Sequence, residues 1–184
     1  MTNYRFYVAS SLDGFIADDH DSLDWLVTQP IDAHGFMNYN RFMADIGVLA
    51  MGYTTYQWIV DHNMTSGDSW PYEVPTYVFT HRDLTPVADT IQIVSGTPGE
   101  HRADLVSAAG DKDVWIVGGG DLATQFARAG MLGEVMVSIA PVFLGSGRPL
   151  FTDAFNLELQ EFDRNRAFLC ARYSVRGLRA EEQI

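Results

Sequence analysis

The sequence predicts an α/β fold: a central mixed, mostly parallel sheet flanked by helices and closed by an antiparallel hairpin. Three observations predict it. Short runs rich in β-branched and aromatic residues alternate with segments of helical spacing across residues 4–140, which is how βαβ units and a parallel sheet read in sequence. An apolar run, 114–117, opens through Gly118, Gly119 and Gly120 directly into a helical segment. Two long strand-like runs, 157–163 and 167–177, flank Asn165 and read as an antiparallel pair.

Taken in order, residues 4–10 form the first strand, and Asp13-Gly14 turns the chain into the short run 15–17. A polar, acidic loop carrying Trp25 and Leu26 follows to Pro30. Asp32 can cap a helix to about Asp45, because Phe36, Tyr39, Phe42 and Met43 recur at helical spacing, with Gly35 as its weak point. Residues 47–51 make an apolar strand, Thr54 or Thr55 caps a short helix through Val60, and 63–74 is a loop. Strands follow at 75–80 and 90–94, a helix at 100–109, a strand at 114–117, a helix at 122–129 and a strand at 134–140. Residues 145–149, Gly-Ser-Gly-Arg-Pro, read as a flexible loop before the hairpin.

Composition bounds the function. With 184 residues and 47% hydrophobic content, the chain can bury one sizeable core, and 1–184 reads as a single domain. A net charge of -12 repels nucleic acid and anionic membrane, which draw on clustered basic side chains. No run approaches the roughly 20 apolar residues of a membrane span, and the first residues lead into a strand, so a cytoplasmic location is expected. Cys170, the one cysteine, lies in an apolar run and reads as a buried strand residue. The five histidines show no ligand spacing, so no metal site is expected, and no G-x-S-x-G elbow supports a serine hydrolase.

The glycine junction at 118–120 carries the clearest chemistry. Glycines let the backbone pass close to a ligand, and the N–H groups that open a helix attract anions. A pyrophosphate suits such a place, although the spacing is neither G-x-G-x-x-G nor a Walker A loop. A second junction, Met51-Gly52-Tyr53-Thr54-Thr55-Tyr56, repeats the logic with threonine hydroxyls added. Two junctions of this kind place a ligand at the carboxyl ends of the strands.

With these residues in place, the chain resembles the dihydrofolate reductase superfamily, in particular the reductase half of the bifunctional riboflavin-biosynthesis deaminase-reductase and its stand-alone relatives. Four motifs carry the resemblance in order: residues 9–17 (Ala-Ser-Ser-Leu-Asp-Gly-Phe-Ile-Ala), 51–56, 116–120 (Ile-Val-Gly-Gly-Gly) and 140–151 (Ala-Pro-Val-Phe-Leu-Gly-Ser-Gly-Arg-Pro-Leu-Phe). The resemblance implies a dihydrofolate-reductase-like sheet that binds NADPH along its strand ends. Ala9 and Ile16 would hold the nicotinamide carboxamide through their backbone. Gly52 and Thr55 would meet the diphosphate, opposite Gly119 and Gly120, with Val117, Gly118, Asp121 and Leu122 flanking them. Tyr53, Thr80, His81 and Arg82 would surround the adenosine 2'-phosphate, and Gln125 would lie near the adenine.

Three positions depart from the family pattern. Tyr53 stands where many relatives carry an arginine for the 2'-phosphate, so NADH stays open beside NADPH, with Arg82 as the substitute cation. Phe36 falls where folate reductases place a carboxylate, which disfavours folate. Val117 stands where riboflavin-pathway reductases commonly place a glutamate, and the zinc deaminase signature is absent from the sequence. The expected activity is therefore hydride transfer to the C=N or C=O carbon of a small heterocyclic substrate. The alternatives are the riboflavin-pathway pyrimidine reduction and a non-catalytic nucleotide-binding protein. Asp13 is the candidate to orient substrate or relay a proton. Trp25 and Phe36 are candidates to stack on a flat substrate, and Arg148 to meet an anionic one. The long final strands, with relatives of this kind, imply a homodimer.

Overall fold

A computed structural model of the chain describes residues 1–64 and 67–179. In chain order its elements are β1 (Tyr4–Ser10), β2 (Phe15–Ala17), α1 (Asp24–Val27), α2 (Tyr39–Ala44), β3 (Ile46–Gly52) and α3 (Tyr53–Ile59), which a π turn (Val60–Met64) prolongs. There follow β4 (Thr76–Phe79), β5 (Ile91–Val94), α4 (Arg102–Ala109), β6 (Asp113–Val117), α5 (Gly120–Arg128), β7 (Leu132–Ile139), β8 (Arg148–Pro149), β9 (Phe155–Asn165) and β10 (Phe168–Leu178).

Eight strands share one sheet in the order β5-β4-β3-β6-β1-β7-β10-β9. The first six pair in parallel, β10 runs antiparallel to β7, and β9 runs antiparallel to β10. β2 and β8 form a separate small ribbon. Helices cover both faces of the parallel part, which is why β3 reads as an unbroken apolar run rather than an alternating one. Val48, Ala50, Val114 and Ile116 meet α4 and α5 on one face around Leu105, Leu122 and Phe126. Leu49, Met51, Trp115 and Val117 meet α2 and α3 on the other, around Phe42, Tyr56 and Ile59. Phe6 and Phe126 are fully buried, and each such side chain contributes about 1.5–3 kcal/mol against leaving it in water. A third, smaller cluster of Ala140, Phe168 and Cys170 gathers Trp25, Leu26 and Phe36 against it. No helix among the described residues is long and apolar enough to cross a membrane.

Two local expectations need correction. The helix expected from Asp32 to Asp45 shrinks to Tyr39–Ala44, and its cap is Asn38, whose side-chain oxygen accepts from Arg41 N at 3.0 Å. The residues before it are held open by Asn165 at the end of β9. Its Oδ1 accepts from Asp32 N at 2.9 Å, and its Nδ2 donates to the carbonyls of Asp32 (3.1 Å) and Phe36 (3.0 Å). Asp32 itself accepts from His34 N, closing a turn rather than capping a helix. Likewise Gly52, not Thr54 or Thr55, stands at the cap of α3, and no side chain caps that helix.

Candidate functional site: a cleft at the strand ends

The sheet order makes the cleft. β1 outruns β6, because their ladder stops at Phe6–Ile116 while β1 continues to Ser10 along β7. Backbone groups alternate in direction along a strand. Asn3 O accepts from Val114 N on the β6 side, and Ser10 O accepts from Ala140 N on the β7 side. Ala9 therefore points its N–H and C=O toward β6, beyond the point where β6 has ended. A planar amide is the natural partner for such an adjacent donor and acceptor. The resulting cleft, about 650 Å³, is floored by Val8 and Ala9 of β1 and by Trp115 and Val117 of β6. Ile16 and Ala17 of β2, Leu23 and Leu26, and Thr54, Thr55, Trp58 and Ile59 of α3 wall it. Gly118, Gly119, Gly120 and Asp121 form its rim, with Arg148 and Pro149 of β8 across the mouth.

The glycines of the rim are of two kinds. A Cβ at Gly118 would lie 2.8 Å from Thr55 Oγ1, and one at Gly120 would press into the carbonyl oxygens of Pro149 and Leu150. Packing alone requires those two. At Gly119 the nearest atom to an added Cβ is Leu122 Cβ at 3.9 Å, and at Gly52 nothing lies within 4 Å. Gly52 has φ -85 and ψ 168, which any residue adopts. Neither the backbone nor the packing demands glycine at Gly52. The space beside Gly52 is open, and an anionic group such as a diphosphate would meet no side chain there.

Tyr53 begins α3, and the Arg82 guanidinium lies 4.2 Å over its ring, a contact that steadies a cation. Thr80 Oγ1 accepts from Arg82 N at 3.1 Å, so the turn 80–82 is fixed beside that ring. His81 is exposed in the same turn. Asp121 accepts from Gln125 Nε2 at 2.8 Å, which turns Gln125 back onto its own helix and away from the cleft wall. Leu122 is buried under α5 and packs the core.

The candidate catalytic and substrate residues sit differently from their expectation. Asp13 has its carboxylate occupied. Ser11 Oγ donates to it at 2.6 Å, and the backbone N–H groups of Leu144 (3.1 Å) and Gly145 (2.7 Å) donate as well. The Ser11 bond, then those two amides, hold the carboxyl below its ordinary range. A group held ionised and saturated with donors anchors a loop and is a poor proton source. The loop is anchored twice more: Ser146 Oγ bonds Asp19, and Arg148 meets Asp21 in a fork at 2.6 and 3.1 Å. The segment expected to be a flexible loop is thus tied by three carboxylates, and Arg148 is neutralised where it faces the cleft. Trp25 and Phe36 leave the cleft altogether. Trp25 donates its ring N–H to Ser22 O, and both rings pack on the cluster of Phe168 and Cys170.

Aromatic walls come instead from Trp58, Tyr72 and Trp115. Trp115 was legible in principle, since it shares a strand face with Val117 and lies three residues before the first glycine. Trp58 lies one helical turn beyond Thr55. Tyr72 lies in an irregular loop and carries no sequence signal.

These features define a class: an α/β chain with an open-ended central strand, two glycine-lined helix openings and an aromatic cleft between them. The family model of the RibD C-terminal domain matches residues 5–167, and the chain belongs to that family. The uncharacterized protein YwjB of Bacillus subtilis is 30% identical over 151 residues, covering 82% of this chain and 83% of that protein. Among solved structures, the putative riboflavin biosynthesis protein of Shewanella sp. PV-4 superposes with a TM-score of 0.80 at 26% identity, over 96% of this chain and 99% of that one. The diaminohydroxyphosphoribosylaminopyrimidine deaminase/5-amino-6-(5-phosphoribosylamino)uracil reductase of Thermotoga maritima superposes at 0.64 and 13% identity, over 95% of this chain and 56% of that one. The fold is accordingly the dihydrofolate-reductase-like one, with its mostly parallel sheet and antiparallel hairpin.

Proposed function

We propose that this chain is an NADPH-dependent reductase that passes a hydride to a C=N or C=O carbon of a small planar substrate, and that it works in the cytoplasm as a homodimer. Gly52 carries this reading: a glycine at the opening of α3 that neither backbone nor packing requires. Ala9 would hold the carboxamide through its backbone, Thr55 and the two open glycines the diphosphate, and Arg82, braced on Tyr53, the adenosine 2'-phosphate. When bound, the reduced nicotinamide supplies the hydride. The chain's own residues supply position: two flat partners held at about 3–3.5 Å need little further assistance. Trp58 and Trp115 exclude water from one side of that space, and the tethered 144–149 segment closes the mouth.

The reading is tested by titrating the protein with NADPH and NADH while following tryptophan fluorescence, since Trp58 and Trp115 line the cleft. NADPH is expected to bind more tightly than NADH, with the difference lost in Arg82→Ala. Gly52→Asp is expected to weaken NADPH at least about 10-fold, because a carboxylate would stand where the diphosphate lies. Failure of both nucleotides to bind overturns the proposal.

A further inference from the structure

The inner end of the cleft holds a group that no role yet explains. Trp115 precedes Val117 by two residues on the same sheet face, so it lies about 6–7 Å further back along β6 than Val117, which itself precedes the glycines. Tyr72 packs edge-on against Trp115, with ring centroids 5.9 Å apart, and against Trp70 at 5.5 Å. Tyr72 therefore lines the far end of the space from the diphosphate groups, where an acceptor has to sit.

Two phenols of this molecule are buried to a similar depth, and burial pushes both up to about 12. They differ in what their hydroxyls do. Tyr7 donates to Met37 O at 2.7 Å. Tyr72 makes no hydrogen bond among the described residues, and the Tyr39 phenol is its one electrostatic neighbour. Tyr72 is only partly buried and lines the cleft, so its hydroxyl opens onto that space without a protein partner, and burial of the ring keeps it protonated at any working pH. It is a donor waiting for an acceptor atom.

The charge around it narrows what that acceptor is. Among the described residues lining the cleft, Arg148 is the one cation, and Asp21 already grips it. Tyr72 shares its apolar cluster with Ile59, Trp70 and Trp115. Nothing there compensates a phosphate, sulfonate or carboxylate, and burying an unpaired charge in such walls is strongly disfavoured.

We infer that the Tyr72 hydroxyl donates a hydrogen bond to the carbonyl or imine heteroatom of an uncharged, planar acceptor held between Trp115 and the cofactor end of the cleft. The inference rests on the reductase reading and names the substrate class for it. As hydride from the reduced nicotinamide adds to the acceptor carbon, the C=O or C=N π pair moves onto the heteroatom. That atom takes the Tyr72 proton, and water returns one to the phenolate.

The test compares 2-methyl-1,4-naphthoquinone with its charged relative 1,4-naphthoquinone-2-sulfonate. Each is titrated into protein saturated with NADP⁺, which reads binding apart from turnover, and then assayed for NADPH oxidation. The neutral quinone is expected to bind at least about 10-fold more tightly than the sulfonate. Tyr72→Phe is expected to weaken it by roughly 10-fold and to lower kcat by about 10–100-fold, with NADPH affinity unchanged and thermal stability equal or higher, since only an unpartnered hydroxyl is removed. Equal binding and equal kcat in Tyr72→Phe, or a preference for the sulfonate, overturns the inference. So does failure of both quinones to bind protein that binds NADP⁺, an outcome that leaves the reductase reading standing. Failure to bind the nucleotide itself overturns both.

Discussion

Glycine serves two ends within a few ångströms of the same cleft, and substitution separates them. At Gly120 an alanine methyl would push into the carbonyl oxygens of Pro149 and Leu150, backbone that cannot step aside. Gly120→Ala is expected to destabilise the protein by about 1–3 kcal/mol, the usual cost of overpacking, measured by urea denaturation. At Gly52 an aspartate meets open space and is a better helix cap than glycine. Gly52→Asp should unfold no earlier than wild type even though it binds NADPH poorly. Asp13 makes a third residue-scale case, with a definite pH sign. Its folded value lies below the ordinary 3.8, chiefly through Ser11, so the anchor is complete above 3.8 and is lost as pH falls through the lower folded value. Asp13→Asn should therefore lower Tm at neutral pH, and the gap to wild type should shrink in acid; a gap that is flat with pH would remove the anchoring role. The glycine junctions were legible in the sequence as places of close approach. Which glycine faces a ligand and which faces Thr55 or Pro149 was not, because that depends on atoms distant in the chain.

At the scale of elements, Asn165 decides the shape of a segment more than 120 residues earlier. Residues 32–45 carry helical spacing, yet Asn165 takes the Asp32 N–H and the Asp32 and Phe36 carbonyls, and a Cβ at Gly35 would lie 2.7 Å from its Nδ2. Met37 adopts φ 54, outside any right-handed helix. Local periodicity predicted a helix, and a buried side chain from the hairpin turn outcompeted it. Asn165 is 3% exposed, so water cannot replace its bonds. Asn165→Ala should leave the Asp32 N–H and the Phe36 carbonyl without partners, the Asp32 carbonyl keeping Gly35 N, and cost about 2–3 kcal/mol by urea denaturation. A cost near zero would mean that the segment re-forms as the helix its sequence favours, which far-UV circular dichroism would register as added helix. The strands needed no such partner to be read. Residues 4–10, 114–117 and 134–140 are apolar enough to demand burial wherever they pair, and the structure places β1, β6 and β7 within a residue or two of those bounds.

At the scale of the whole molecule, pairing order was the part the sequence kept hidden. β6 inserts between β3 and β1, and this insertion, with β1 running past it, opens the cleft at Ala9. The far end of the sheet is where the proposed homodimer is tested. β9 is an eleven-residue edge strand that, among the described residues, pairs with β10 alone, and edges of this length are normally covered or blunted. Leu157, Leu159 and Phe162 pair with Val175, Tyr173 and Ala171, alternate residues of one face of β10, so they form a single row. Their exposures are 40%, 49% and 64%. The two glutamates of the strand are engaged by arginines of β10: Glu158 by Arg176, and Glu161 by Arg172, which also holds Glu134. An apolar row beside satisfied charges suits a second copy of the same face across a two-fold axis. Sedimentation at micromolar concentration is expected to give twice the 20.5 kDa chain mass. Leu159→Lys combined with Phe162→Lys should give the monomer. Lysines reduce the net charge of -12 rather than add to it, so dissociation would report the lost apolar contact and not general self-repulsion. The cleft is built from β1, β6 and α3, away from β9, so the monomeric variant should still bind NADPH. A wild-type chain that sediments as a monomer would refute the dimer, and a variant that stays dimeric would move the interface to another face.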